Sequence, residues 1–249
     1  MQGGLRDVDA VIQKANAAGQ KAPEDYYRYA IGKANQSKNR AETVNWLTRY
    51  VSAYPTEKNW RDVIIMYGIQ QGSVATLDKE QQIDLFRLMR ATRSLGDQSL
   101  YEQYAQTTRV RGLPAETVSV LQEGVASGKL PAANAFVKTS LTEAQASARA
   151  EGSLSGLETK AKAGANGKLA AQTGDAYLSQ SNWTKAAELY RLALTKGGVV
   201  EDEVNTHLGI ALARAGDKAG AQAAFGQVKG QPRADIAALW TAYLNQSAA

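Results

Sequence analysis

GDAYLSQSNWTKAAELYRLA (residues 174–193) and GIALARAGDKAGAQAAFGQV (residues 209–228) carry one pattern written twice. Gly174, Tyr177, Ala186, Tyr190 and Ala193 each have a counterpart 35 residues on, at Gly209, Leu212, Ala221, Phe225 and Val228. Small and bulky residues recur in the same order, at spacings that suit helices and not strands. The small residues let two helices approach closely, and the large ones fill the space beside them. One helical hairpin cannot bury its apolar face alone, so the pattern predicts stacked hairpins and, through them, a presented surface. In this reading 166–180 and 183–196 form one hairpin, 201–215 and 218–229 the next, and 234–245 a closing helix. Ile236, Leu239, Trp240, Tyr243 and Leu244 are that helix's apolar side, and Asp235, Thr241, Asn245 and Gln246 are expected on its polar outer side.

Helical periodicity also runs through the upstream sequence. Leu5, Val8, Val11 and Ile12 mark a first helix closed by Gly19, and Pro23 opens a second that runs to about residue 35. Val44, Leu47, Tyr50 and Val51 form a third, stopped by Pro55, and Trp60 to Tyr67 a fourth, ending near Gly72. Ile83 to Met89 form a fifth, and 98–111 with 114–128 another pair. Residues 138–166 are rich in Ala, Ser, Thr and Gly, with bulky anchors only at Leu141, Leu154 and Leu157, and predict a connector or a weak helical pair. The expected organisation is degenerate hairpins over 1–137, the connector over 138–166, and two repeats with a capping helix over 167–249. The expected fold class is all-α.

Composition narrows the chemistry. The 249 residues hold 29 basic and 24 acidic residues, no cysteine and one histidine. The basic residues are interspersed with acidic ones and lack the stripe that phosphate tracking needs, so nucleic acid is not an expected partner. Without cysteine there is no thiol nucleophile and no zinc-thiolate site, and a lone histidine cannot build a histidine metal cluster. No apolar run approaches the roughly 18 residues of a membrane-spanning helix. Gly164-Ala165-Asn166-Gly167-Lys168 lacks the glycine spacing and the hydroxyl residue of a phosphate loop, and is expected to be a helix-start connector. No spacing singles out a catalytic pair, so no enzyme, cofactor or metal is expected.

The residues of 167–246 resemble the tetratricopeptide repeat, a helical hairpin of about 34 residues. Tyr50, Pro55 and Trp60 suggest degenerate copies upstream. The resemblance implies a right-handed α-solenoid whose concave face binds another protein or peptide. On that face it puts Lys168, Gln172, Asp175, His207 and Arg214, with His207 expected to be partly exposed. Where the family's carboxylate clamp places Lys and Asn, this chain has Ala171 and Asp175, which argues against a chaperone-tail ligand. The segments 53–60 and 187–215 are similar to a group of alphaproteobacterial tetratricopeptide proteins that carry export signals. That likeness implies a periplasmic scaffold or adaptor whose signal is absent from this chain, with a cytoplasmic protein as the alternative.

A second functional reading comes from the aromatic N-terminal third. Tyr27, Trp46, Tyr50 and Tyr67 lie on the apolar stripe and are expected in the core. Tyr26, Tyr29 and Tyr54 are offset from it and are surface candidates. They could contact a small molecule or a glycan such as a cell-wall fragment. Self-association through Trp240 or Tyr243 is a third reading.

Overall fold

The computed structural model describes the backbone of residues 2–246 and the side chains of 4–246. Among the described residues it is all-helical, without a strand. The helices are α1 Gln2–Ala17, α2 Glu24–Gln36, α3 Arg40–Ala53, α4 Glu57–Ile64, α5 Lys79–Ala91, α6 Gln98–Val110 and α7 Pro114–Ala126. They continue with α8 Ala135–Glu151, α9 Ser155–Ala163, α10 Lys168–Ser179, α11 Trp183–Lys196, α12 Glu201–Ala215, α13 Lys218–Gln227 and α14 Arg233–Leu244. The segment 138–166 is therefore mostly helical, as α8 and α9.

Helix starts follow the local sequence. Asn39, Thr56, Asp78, Asp97, Asn182 and Asp217 each accept a hydrogen bond from the backbone N–H three residues on. Asp78 and Gln81 complete a capping box at the start of α5. One end differs from expectation. After Ile64 the fourth helix widens into a π-helical turn, Ile65–Ile69. The following chain folds back, and the N–H groups of Val74 and Ala75 bond to the carbonyls of Met66 and Tyr67 at 3.0 and 2.8 Å. Those carbonyls gain partners outside the helix, which compensates for the changed ladder.

The chain forms two compact units, residues 1–76 with 241–249, and residues 77–240. In the first unit α2 packs on α3, and Tyr27, Trp46, Tyr50, Trp60 and Tyr67 are buried. The Trp60 and Tyr243 rings meet edge to face at 6.5 Å. In the second unit α6 packs on α7, α10 on α11, α11 on α12 and α12 on α13, each helix on its sequence neighbour. Two further contacts join distant parts of that unit, α7 with α10 and α5 with α12.

The 35-residue echo becomes a physical one here. A Cβ built on Gly174 would lie 2.7 Å from Tyr190 Cε1, and one on Gly209 would lie 2.4 Å from Phe225 Cε1. Each aromatic ring thus lies over a glycine sixteen residues earlier, in both hairpins. The turns repeat too: Ser181 and Gly216 both have positive φ, at 59° and 86°, just before the caps Asn182 and Asp217. Gly209→Ala is expected to destabilise the protein by about 1–3 kcal/mol through overpacking against Phe225, despite the better helix propensity of Ala. Gly226→Ala is the control, because nothing lies within 4 Å of that position. Thermal unfolding should show a lower midpoint for the first variant alone; equal midpoints would contradict the interlock.

Asp235, expected on an exposed face, is buried in the first turn of α14, with 7% of its surface accessible. Asn245 is exposed, and Thr241 and Gln246 are half-buried.

Candidate functional site

The second unit places an ion network at the junction of five helices. Asp84 and Arg87, on α5, sit among Ile83, Leu85, Phe86, Leu88 and Met89, all buried. Glu116 lies in the first turn of α7, Asp175 on α10, His207 on α12, and Arg233 opens α14. Asp84 is completely buried and accepts from Arg233 NH1 at 2.8 Å and Arg87 NH1 at 3.3 Å. Arg87 also grips Glu116 with both arms of its fork, Nε to Oε1 at 2.9 Å and NH2 to Oε2 at 2.7 Å. The Tyr104 hydroxyl donates to Glu116 Oε1 at 2.5 Å, and the Glu116 backbone N–H donates to Ser179 Oγ at 2.9 Å.

His207 lies between two carboxylates. Its Nδ1 is 2.8 Å from Asp175 Oδ1, which also accepts from the Tyr190 hydroxyl at 2.7 Å. Its Nε2 faces Asp84 Oδ1 at 3.4 Å, an ion-pair distance without hydrogen-bond alignment. Burial alone would drive the imidazole towards neutrality, but Asp84 and Asp175 outweigh it and hold its pKa at about 9. Burial likewise opposes ionisation of Asp84, yet His207, Arg233 and Arg87 hold its pKa at about 2. The Asp175 carboxyl is also lowered against the cost of burial, chiefly by His207. At neutral pH the network therefore contains charged His207, Arg87 and Arg233 facing ionised Asp84 and Asp175.

A cavity of about 330 Å³ opens beside this network. Arg87, Gln172, Asp175, Ser179 and His207 form part of its wall, and Glu80, Arg111, Glu151 and Glu203 add further charge. Glu203 pairs with Arg233 at 2.9 Å, and Glu80 with Arg111.

Of the five residues expected on the concave face, Gln172, Asp175 and His207 meet in this cavity. Lys168 is exposed in the first turn of α10 and does not line it. Arg214 is exposed at the end of α12, where its guanidinium lies 5.3 Å from the Trp183 ring, beside a separate small void. His207 departs from expectation: it is buried, 5% exposed, because α5 packs across α12 and brings Asp84 against it. The glycine-rich stretch is a helix start, with Gly167 at the cap position of α10 and its N–H bonded to the Gly197 carbonyl at 2.8 Å.

In the first unit Tyr26 and Tyr29 are exposed, at 38% and 46%. Tyr54 is a correction, because it is half-buried. Its ring packs on Tyr27 and Tyr50 at 5.9 and 6.3 Å, and its hydroxyl donates to the Ala22 carbonyl at 2.7 Å. Among the described residues Val11 is the other exposed large apolar residue of this unit.

Asp84, Arg87, Glu116 and Arg233 were not singled out from the sequence. A signal for the first two was present: a carboxylate and a guanidinium three residues apart inside the apolar run 83–89 face one way on a helix, and burial requires them to pair. Among the described residues no group of His, Asp or Glu is arranged to hold a metal ion, and no helix is long and apolar enough to cross a membrane. Compared with protein-family models the chain matches none, and no curated protein matches it in sequence.

Proposed function

We propose that this protein is a non-enzymatic binding module, a scaffold or adaptor of tetratricopeptide type built as a right-handed solenoid, that takes a segment of a partner protein at the cavity of its second unit. The observation that carries the reading is the meeting of Gln172, Asp175 and His207 around a cavity of about 330 Å³. That volume lies at the low end of ligand pockets, roughly 300–1,000 Å³, and suits one side chain better than an extended ligand. The rigid ion network behind it supports binding with little rearrangement, because its side chains are already held by one another. The bacterial envelope is the proposed setting, on the strength of the sequence resemblance alone.

A photo-crosslinking amino acid at Gln172 tests this in the source cell. The reading expects a discrete adduct with one partner from Gln172, and none from the same group at Gln227, which is exposed on α13 away from the cavity. Identical adducts from both positions, or none from Gln172, would remove it.

A further inference from the structure

The charges around the cavity are unequal. Six carboxylates, Glu80, Asp84, Glu116, Glu151, Asp175 and Glu203, line it or stand directly behind its wall, against four cations, Arg87, Arg111, Arg233 and protonated His207. Each cation already faces a wall carboxylate. Arg87 is held by Glu116 and Asp84, Arg233 by Asp84 and Glu203, Arg111 by Glu80, and His207 by Asp175 and Asp84.

The unused capacity is on the acceptor side. Asp175 bonds through Oδ1 alone and Glu203 through Oε2 alone, which leaves Asp175 Oδ2 and Glu203 Oε1 without a donor among the described residues. Glu151, a solvent-exposed residue of the cavity's lining, has no cationic partner at all among them, and partial desolvation raises its carboxyl above its ordinary value. A cavity sized for one side chain, with spare carboxylate oxygens and its cations already engaged, is complementary to a multi-donor cation. Anionic and purely apolar groups would leave those oxygens desolvated and unpaired, which is costly.

We propose that the cavity binds a single ammonium or guanidinium group, carried by a lysine or arginine side chain of the partner segment, with Glu151, Asp175 and Glu203 as its acceptors. The inference rests on the binding reading above and adds the chemistry of the occupant. The same chemistry could be supplied by a free amine, and the experiment separates the two sources.

His207 is the one histidine of the chain, so its imidazole NMR signals report on this cavity without assignment ambiguity. The probes are N-acetyl-arginine amide, N-acetyl-lysine amide, N-acetyl-glutamate amide and free arginine. The two capped basic residues should shift the His207 signals saturably, while the capped glutamate leaves them in place. Glu151→Gln should weaken the binding at least fivefold, whereas Glu188→Gln, on an exposed face of α11, should not change it. Raising the salt should also weaken it. Capped arginine binding more tightly than free arginine identifies a peptide-borne group; the reverse identifies a free amine. The proposal is overturned if the capped glutamate binds as well as the capped arginine, if Glu151→Gln has no effect, or if no basic probe shifts the signals at tens of millimolar. An adduct at Gln172 together with silent basic probes would leave the cavity as a binding site and refute only its cation preference.

Discussion

Asp84→Asn is expected to destabilise the protein by about 3–5 kcal/mol, the usual cost of breaking a buried ion pair by removing one partner. Asp84 has no accessible surface and faces Arg87, Arg233 and His207 together. The substitution keeps the side chain's size and removes its charge, so three cations lose a shared counter-ion in a place water does not reach. Arg87 keeps Glu116, Arg233 keeps Glu203 and His207 keeps Asp175, which is why the loss should stay within that range. The melting temperature should fall by about 6–20 °C, taking roughly 2–4 °C per kcal/mol for a chain of this size. Asp62→Asn is the comparison, since its pair with Lys58 is solvent-exposed and should be worth under about 1 kcal/mol. Equal effects for the two substitutions would mean that burial of Asp84 is not what makes its charge matter.

Alkaline pH should weaken the protein through His207. Its pKa is raised from 6.5 to about 9 by folding, so the folded state holds the proton more tightly than the unfolded one. The resulting stability is fully present below about pH 6.5 and is lost as pH rises through 9. The shift corresponds to about 3 kcal/mol at 1.36 kcal/mol per unit. The groups around the ring fix the sign: Asp84 from α5 and Asp175 from α10 outweigh burial, the nearby cations Arg87 and Arg233, and the Tyr190 hydroxyl that shares Asp175 Oδ1. At the acid end Asp84 and Asp175, both lowered by folding, contribute stability above pH 3.8; that of Asp84 is lost as pH falls towards 2, and that of Asp175 as pH falls through its own lowered value. Denaturation midpoints between pH 6 and 10 should decline in the native chain and decline less in His207→Gln. An imidazole that titrates near 6.5 would contradict the geometry.

Most of the helical fold was legible, because its signals are local. Gly19, Pro23, Pro55, Gly128 and Gly216 punctuate the chain near helix ends, and the apolar stripes between them have helical period. The echo of Gly174 and Tyr190 in Gly209 and Phe225 predicted a steric fit that the ring-over-glycine contacts reproduce. The π-helical turn was not legible, since it depends on Val74 and Ala75 returning to the carbonyls of Met66 and Tyr67.

The site was legible in part for a similar reason. Gln172 and Asp175 lie on α10 and His207 on α12, the opening helices of the two hairpins related by the 35-residue echo, so that echo pointed to their meeting. Asp84 lies 123 residues from His207, and Arg233 149 residues from Asp84, and the periodicity of either segment says nothing about the other. His207 was therefore expected at a surface that α5 in fact covers. Tyr54 was misplaced on a smaller scale: its offset from the helical stripe holds, but the chain turns after α3 and lays its ring on Tyr27 and Tyr50.

The crosslink from Gln172 tests the central claim most directly, because it reports contact at the cavity whatever the partner's identity. The proposed function predicts one dominant adduct from Gln172 in the source cell and no such adduct from Gln227; its suppression by an excess of N-acetyl-arginine amide is the added expectation of the cation preference. No adduct from Gln172, or the same set from Gln172 and Gln227, would show that the charged cavity is a structural feature of the fold and not its binding site.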